Sequence, residues 1–257
     1  MQFWLGTHLP SWLSRYDVPM MLSHRQLDKR VSRYPRALGP WVLDSGAYSE
    51  LALYGEWRTT TAQYIAAVRR YEDEIDGLVW AAPQDWTCDP DSLAATKLTV
   101  QQHQLRTARN FVRLQGDGPF MPVLQGWTRD DFMRHVEMYD REGIDLAAEP
   151  IVGLGSIASR ADQPLVLHIA DELRDAGIAL HGFGLKRRAI TAAAGQVFTS
   201  IDSLAWSYAA RRQPALDGCV GHKACQNCPR YAMQWRAETL AQLNTRPSFQ
   251  RRLALEG

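Results

Sequence analysis

The chain has 257 residues, of which 46% are hydrophobic and 22% are charged, and its formal net charge is +1. This composition fits a globular protein with a sizeable core, and it excludes a polyelectrolyte or a low-complexity chain. The first ten residues contain no basic leader and are interrupted by His8 and Pro10, and no apolar run is long enough to span a bilayer. We therefore expect one domain over residues 1–257, no membrane association, and a cytoplasmic location in which thiols stay reduced.

Short apolar runs, each followed by polar or glycine-containing residues, alternate with segments of helical periodicity. This alternation is typical of βα units that build a parallel sheet. The predicted strands lie at residues 3–5, 19–22, 41–43, 78–82, 122–124, 146–152, 179–183 and 197–201. The predicted helices lie at residues 61–71, 94–114, 130–141 and 163–176, with a closing helix at 231–245.

Eight strands with helical crossovers predict an α/β fold, a (β/α)8 TIM-like barrel with a small C-terminal zinc-binding loop and a closing helix. An open doubly wound sheet is the alternative, because the same alternation would also build it. No glycine-rich dinucleotide fingerprint follows the first predicted strand. The barrel is therefore the favoured architecture.

The segment 219–228 has the spacing of a metal site. Its potential ligands Cys219, His222, Cys225 and Cys228 recur at every third position. Three thiolates and one imidazole suit tetrahedral Zn²⁺, whereas a cysteine triad with an open position also suits an iron–sulfur cluster. Disulfides are disfavoured because Cys88 is the only other cysteine and no feature indicates secretion. The sequence therefore predicts a Zn²⁺ site, with an iron–sulfur cluster as the alternative.

Polar residues follow several predicted strands, and in a barrel they would converge on one mouth. Asp44, Asp85 and Asp202 would then share a cavity, where crowding raises the pKa of at least one carboxyl group. One carboxyl could act as an acid or base while another remains an ionised nucleophile. Each aspartate taken alone is better explained as a helix cap. The glycines beside Gln125 and at residues 153 and 155 would let the backbone approach a flat heterocycle, which a cap does not require.

The motifs occur in a recognisable order. Leu-Asp-Ser-Gly-Ala-Tyr at 43–48, Val-Leu-Gln-Gly at 123–126, Val-Gly-Leu-Gly at 152–155 and Ser-Ile-Asp-Ser at 200–203 precede the cysteine cluster. In this order they resemble the tRNA-guanine transglycosylase superfamily, and most closely its DpdA-like branch, which acts in 7-deazapurine modification of DNA. The resemblance covers residues 41–228. It implies a zinc-bearing (β/α)8 fold and base exchange at a purine nucleoside within a polynucleotide. The leading hypothesis is exchange of guanine in DNA for a free 7-deazaguanine base such as preQ0.

The resemblance also implies residue roles. Asp202 matches the nucleophile that attacks C1′ as guanine leaves, and Asp44 matches the acid/base group. The positions implied to bind the base are Ser45, Gly46, Asp85, Gln125, Gly126, Gly153, Leu154 and Gly155.

Two departures from the superfamily pattern affect these expectations. The sequence after Asp202 reads Ser-Leu-Ala-Trp-Ser-Tyr, where the tRNA enzymes have Cys-Val-x-Pro-Thr-Arg, so contacts with the polynucleotide are expected to differ there. No histidine follows Cys228, whereas the tRNA enzymes have a zinc histidine well downstream. His222 is therefore the predicted fourth ligand, with Cys88, an acid or water as the alternatives.

The acceptor is expected to be DNA, with tRNA as the alternative, and the target guanine must leave its stack to reach a barrel mouth. The residues predicted to contact phosphates are Lys186, Arg187, Arg188, Arg211 and Arg212. The tryptophans that could stack on a base are Trp86, Trp127 and Trp206. Protein partners of a DNA modification system are also expected. The alternatives to base exchange are hydrolytic removal of a deazapurine, a radical enzyme with a metal cluster, and a zinc-containing barrel that binds nucleic acid without catalysis.

Overall fold

The computed structural model describes residues 1–158 and 160–244. Eight strands form one sheet in the order β4-β3-β2-β1-β8-β7-β6-β5, and every strand pair is parallel. The strands are β1 (Gln2–Gly6), β2 (Met20–Ser23), β3 (Trp41–Asp44), β4 (Leu78–Ala81), β5 (Val123–Leu124), β6 (Val152–Leu154), β7 (Leu180–Gly182) and β8 (Ser200–Ser203).

The sheet curls so that its two ends meet. The Ala81 N–H, at the end of β4, donates to the Pro119 carbonyl at 2.9 Å, and the Ala81 carbonyl accepts from the Met121 N–H at 3.1 Å. These bonds join β4 to the segment that leads into β5, while β1 pairs with β8 on the opposite side. The predicted α/β barrel is therefore confirmed, and the open doubly wound sheet is wrong.

Helices follow the strands on the outside of the sheet. They are α1 (His24–Leu27), α2 (Ala47–Tyr54), α3 (Thr61–Ile75), α4 (Pro90–Thr96), α5 (Val100–Leu114), α6 (Arg129–Arg141), α7 (Gln163–Asp175), α8 (Ala192–Val197), α9 (Ala205–Ala210) and α10 (Pro229–Leu243). The closing helix predicted at 231–245 corresponds to α10, and residue 245 lies outside the described residues. In the described part of the chain, no helix has the length and hydropathy needed to cross a bilayer.

The single helix predicted at 94–114 is wrong, because the structure has two helices there. Lys97 ends α4 in a left-handed conformation, with φ at 57°. Thr99 then begins α5 with a capping box, in which its hydroxyl accepts from the Gln102 N–H while the Gln102 side chain accepts from the Thr99 N–H. The capping residues separate two helices in a segment whose apolar periodicity alone predicts one continuous helix.

Two strands begin later than predicted. Residues 146–150 are turns, and β6 starts at Val152, because the Asp145 side chain accepts from the Ala147 N–H at 3.0 Å and Pro150 has no N–H for a sheet ladder. Val197 ends α8, and β8 starts at Ser200. Leu146, Val197 and Phe198 are buried apolar side chains in these segments, and a short apolar run does not by itself distinguish such residues from a strand.

A separate apolar cluster fills the inside of the barrel. It comprises Trp4, Met21, Val42, Trp80, Met121 and Val123, with Ile151 and Phe183 packed against it. Side chains alternate along a strand, so Asp44 shares the inward face with Val42, and Gln125 continues the inward face of Val123. The apolar cluster is therefore the floor beneath a polar mouth at the carboxyl ends of the strands.

Candidate active site and metal centre

Asp44 is the last residue of β3 and lies half-buried at the mouth. Burial raises the pKa of its carboxyl group to about 6, and the negative charge of Asp202 adds to the rise. Hydrogen bonds from the Ser23 side chain and the Gly46 backbone act in the opposite direction. Desolvation is the largest of these effects, so Asp44 can exchange a proton near neutral pH.

Asp85 lies in the loop after β4 and is buried. Its Oδ1 accepts from the Ser45 hydroxyl at 2.8 Å, and its Oδ2 accepts from the Gln125 Nε2 group at 2.6 Å. Burial raises the pKa of Asp85 to about 7, and the charge of Asp44 contributes to the rise, whereas both hydrogen bonds oppose it. A carboxyl group held by two donors is thus close to the midpoint of its titration at neutral pH.

Gln125 extends this network across the mouth. The Ser156 hydroxyl donates to Gln125 Oε1 at 2.6 Å, and Ser156 Oγ in turn accepts from the Cys88 N–H at 2.7 Å. Because Gln125 accepts from Ser156 and donates to Asp85, the orientation of its amide group is fixed. Ser156 was not predicted, although it directly follows the Gly-Leu-Gly motif that was singled out.

The glycines of the predicted base site have different neighbours. A Cβ atom on Gly155 would lie 2.2 Å from Gln125 Nε2, and one on Gly153 would lie 2.5 Å from Phe183 Cε2. Gly155 therefore makes room for the glutamine, and Gly153 makes room for the floor of the barrel. A Cβ atom on Gly126 would lie 2.9 Å from the Asp131 Cβ at the start of α6.

Not all the predicted base-site residues lie in one network. Ser45, Asp85 and Gln125 are linked by hydrogen bonds. Gly46 has φ at 85° and precedes α2. The side chain of Leu154 belongs to the core between sheet and helices.

Asp202 lies on β8 and is buried. Its Oδ1 accepts from the Gly184 N–H at 2.6 Å and lies 3.4 Å from His181 Nε2. Its Oδ2 has no hydrogen-bond partner among residues 1–158 and 160–244. Gly184 and His181 were not predicted as site residues. Alternation along β7 would place the His181 side chain inside the barrel, which could have marked it as a site residue. However, β7 has only three residues, and all three are buried, so the alternation is not visible in the sequence.

The three predicted carboxyl groups share one electrostatic environment. The charge of Asp44 raises the pKa of Asp85, and the charge of Asp202 raises the pKa of Asp44. The mouth therefore combines two carboxyl groups whose pKa values are raised toward neutrality, those of Asp44 and Asp85, with the carboxyl group of Asp202, whose Oδ2 is free of hydrogen bonds among the described residues. Such a set can perform acid/base and nucleophilic chemistry at one centre.

The predicted phosphate contacts are exposed and lie on two loops. Lys186, Arg187 and Arg188 follow β7, and the Arg187 Nη2 group lies 3.6 Å from Glu238 Oε2 of α10. Arg211 and Arg212 follow α9, and the Arg211 guanidinium lies 5.1 Å from the centre of the exposed Tyr208 ring.

The tryptophans predicted to stack on a base are already packed against protein groups. Trp206 is fully buried, stacks on Trp12 with ring centroids 5.4 Å apart, and donates to the Gly6 carbonyl at 2.8 Å, so its predicted stacking on a base is wrong. Trp86 is buried, and the Arg106 guanidinium lies 4.3 Å from its ring centroid. Trp127 is half-buried, and the Arg160 guanidinium lies 4.7 Å from its ring centroid.

The cysteine segment forms a compact donor cluster. Single donor atoms of Cys219, His222, Cys225 and Cys228 all lie within 4.8 Å of one another. Cys219 and Cys228 Sγ are 3.8 Å apart, which is about the separation of two thiolates on a tetrahedral Zn²⁺ with Zn–S bonds of about 2.3 Å. His222 Nε2 lies 3.3 Å from Cys225 Sγ. These residues therefore fit a metal ion, and His222 completes the set.

Cys88 is not part of the donor cluster. Its thiol is buried near the carbonyls of Trp86 and Val100, and burial raises its pKa. The alternative in which Cys88 supplies the fourth ligand is therefore wrong.

The cluster lies between the strand that carries Asp202 and the first strand. Cys228 immediately precedes α10, whose Trp235 packs on Phe3 of β1 with ring centroids 6.0 Å apart. After β1, His8 Nε2 lies 2.8 Å from Asn227 Oδ1 in the cluster loop. A bound ion would therefore fix α9 and α10 against the seam between β8 and β1.

The chain is similar to a solved candidate isomerase from Sinorhizobium meliloti in an open-loop conformation, at 11% identity and a TM-score of 0.40, over 79% of this chain. The chain spans 49% of the length of that protein. A search of the curated proteins found no match. A family model described as "DpdA: DeoxyPurine in DNA protein A" matches residues 1–250. The chain therefore belongs to the DpdA family.

Proposed function

We propose that this protein exchanges guanine in DNA for a 7-deazaguanine base of the preQ0 type. The observation that carries the proposal is the arrangement of Asp202 and Asp44 at one barrel mouth. Asp202 has one oxygen held by a backbone N–H and the other free, and it interacts electrostatically with a carboxyl group whose pKa is raised to about 6. Membership in a family described by deoxypurine in DNA supports DNA as the acceptor.

The first step forms a covalent intermediate. Asp202 Oδ2 attacks C1′ of the deoxyribose, the C1′–N9 bond breaks, and its electron pair leaves with guanine. Asp44 donates the proton that the departing base takes up. An aspartyl ester is a reasonable trap for an oxocarbenium-like sugar, because the nucleophile is already held beside it.

The second step reverses the first with a new base. Asp44, now ionised, removes a proton from the incoming 7-deazaguanine, whose nitrogen attacks C1′ and releases the Asp202 carboxylate. Two inversions at C1′ give net retention of configuration. Asp44 thus serves as acid and then as base, which requires a pKa near the working pH.

The network of Asp85, Gln125 and Ser45 is proposed to recognise the base. An ionised Asp85 would accept N–H groups from the edge of a guanine-type base, and the fixed amide of Gln125 would read its neighbouring polar atoms. Gly46 and the backbone at residues 153–155 are proposed to line the site. Binding a base with N–H donors favours the ionised form of Asp85, so base binding near pH 7 should release protons.

Zn²⁺ is the ion proposed for Cys219, His222, Cys225 and Cys228. Four protein ligands leave no open coordination position, so the ion would stabilise the fold and supply no Lewis acid to the reaction. Its position next to the β8–β1 seam supports a structural role close to the nucleophile's strand.

The exposed basic residues are proposed to bind phosphates of a DNA strand from which the target guanine has been flipped. Lys186 and Arg212 are exposed, as are Arg187, Arg188 and Arg211, each of which contacts another protein group. Other proteins of a modification system are proposed to deliver the DNA.

The test is incubation of the protein with DNA or tRNA and labelled guanine. We expect label in DNA for wild type and for Asp130→Asn, an exposed control on α6, and no label for Asp202→Asn. Labelling of tRNA alone would replace DNA with RNA as the acceptor. Release of base without incorporation would indicate a hydrolase. An Asp202→Asn variant as active as wild type would exclude the covalent mechanism.

A further inference from the structure

His181 has an unexplained nitrogen atom. The side chain is fully buried on β7, and its Nδ1 lies 2.8 Å from Ser200 Oγ. Its Nε2 is buried without a hydrogen-bond partner, yet it lies 3.4 Å from Oδ1 of Asp202. A buried polar atom without a partner destabilises the folded state, so its presence calls for a reason.

We propose that His181 is a positioning residue that donates from Nε2 to Oδ1 of Asp202; this inference rests on the proposed role of Asp202 as the nucleophile. The carboxylate selects the tautomer, and the Ser200 hydroxyl can accommodate it. When the Ser200 hydroxyl donates to Nδ1, the proton of the neutral ring lies on Nε2 and faces the carboxylate. The other tautomer would set the Nε2 lone pair against the carboxylate oxygen, which is repulsive.

Aromatic neighbours fix the ring in this orientation. Trp80 and Phe183 each contact the imidazole edge to face, with ring centroids 4.7 Å apart. Both belong to the apolar floor of the barrel. The ring therefore cannot turn its Nε2 toward water, and a shift of a few tenths of an ångström would bring the 3.4 Å contact into hydrogen-bond range.

The two donors bind only one of the two Asp202 carboxylate oxygens. Oδ1 is held by the Gly184 N–H and by His181, which leaves Oδ2 directed at C1′. In the second step the carboxylate is the leaving group, and donors to Oδ1 stabilise its returning charge. Loss of the His181 donor should therefore slow the release of Asp202 from the sugar, so that the covalent intermediate accumulates.

The first test does not depend on activity. In protein with ¹⁵N-labelled histidine, NMR should show His181 as the Nε2–H tautomer, with a proton that is protected and shifted downfield. In Asp202→Ala that proton should lose its downfield shift, while melting temperatures report whether the variant is folded. An Nδ1–H tautomer, or a resonance that is unchanged in a folded Asp202→Ala, would overturn the proposal.

The second test compares two replacements during base exchange on DNA. His181→Gln keeps an N–H group at a similar reach, whereas His181→Phe keeps an aromatic ring without a donor. We expect His181→Phe to lower kcat about tenfold or more, to lower KM for DNA with it because release of Asp202 then limits turnover, and to raise the fraction of protein trapped on DNA. His181→Gln should recover most of the rate.

Equal losses in both variants, or an unchanged trapped fraction, would contradict the positioning role. If the wild type exchanges no base, the proposed function fails, and the tautomer and its dependence on Asp202 still decide whether His181 holds this carboxylate.

Discussion

Asp44 and Asp85 are aspartates whose desolvated carboxyl groups have pKa values raised to about 6 and about 7. A raised pKa in the folded state means that folding favours the protonated form. The stability that this contributes is present below pH about 4, the pKa of an unfolded aspartate, and it is lost as the pH rises through the folded values. The site therefore costs stability at the pH where it is proposed to work.

Asp85→Asn tests this cost. The substitution removes the titrating group, so the variant should lose less stability than wild type as the pH rises from 4 to 8. The difference in unfolding free energy should shift in favour of the variant by up to about 4 kcal/mol over this range. Denaturant titrations at several pH values measure it. Parallel stability curves for the two proteins would contradict the raised pKa.

Asp44 should set the alkaline limb of the first chemical step. The departing guanine needs the protonated carboxyl group, so the rate of adduct formation with DNA should fall as the pH rises above about 6. Asp44→Asn should lower the rate by about 10² to 10⁴ and remove this limb. Single-turnover adduct formation across pH is the measurement. The same limb in the variant would assign it to another group.

At the scale of elements, Gly155 in the loop after β6 leaves space for the side chain of Gln125, which follows β5. Gly155→Ala would bring a Cβ atom to 2.2 Å from Gln125 Nε2. Moving the glutamine breaks its bond to Asp85, so we expect weaker base binding and a loss of about 1–3 kcal/mol of stability. Calorimetry of base binding and denaturant unfolding would measure both effects.

The double variant with Gln125→Ala is the control for this clash. Without the glutamine side chain, an alanine at position 155 has room, so Gly155→Ala should cost much less stability in the Gln125→Ala background. Additive losses would mean that the alanine disturbs the loop by another route.

We expect the metal site in the cysteine loop to stabilise the fold and to affect activity only through that stability. Cys225→Ser should lose the metal and about 3 kcal/mol or more of unfolding free energy, roughly 10 °C in Tm, with activity lost in proportion. Cys88→Ser is the matched control, since Cys88 is also buried but lies outside the cluster. Metal analysis should find one zinc per chain in wild type and in this control. A stable, zinc-free and inactive Cys225→Ser protein would contradict a structural role, and iron with sulfide would indicate a cluster.

Local signals predicted some elements well and others poorly. Residues at strand ends, such as Asp44 and Asp202, could be found because the carboxyl ends of parallel strands meet at one mouth. His181, Gly184 and Ser156 could not, because their roles arise from contacts across the barrel that no single segment records. Helix breaks depended on single caps that periodicity does not reveal.

At the scale of the whole molecule, one barrel carries both the polar mouth and the cysteine cluster loop. Its apolar floor lies beneath the network of Ser45, Asp85 and Gln125 and beneath Asp202, and the cluster loop contacts the segment that follows the first strand. The fold class followed from alternation repeated over the chain, which tolerates errors at individual boundaries. The proposed chemistry depends on a few side chains at the mouth, above all on Asp202, whose role as the nucleophile is the central claim.

That claim is that Asp202 bonds to the sugar of DNA during base exchange. The direct measurement is to incubate the protein with a guanine-containing DNA without an incoming base, denature it, digest protein and DNA, and locate the deoxyribose adduct by tandem mass spectrometry. We predict an adduct on the peptide that contains Asp202, absent from Asp202→Asn. An adduct on another residue, or base exchange by Asp202→Asn, would contradict the account.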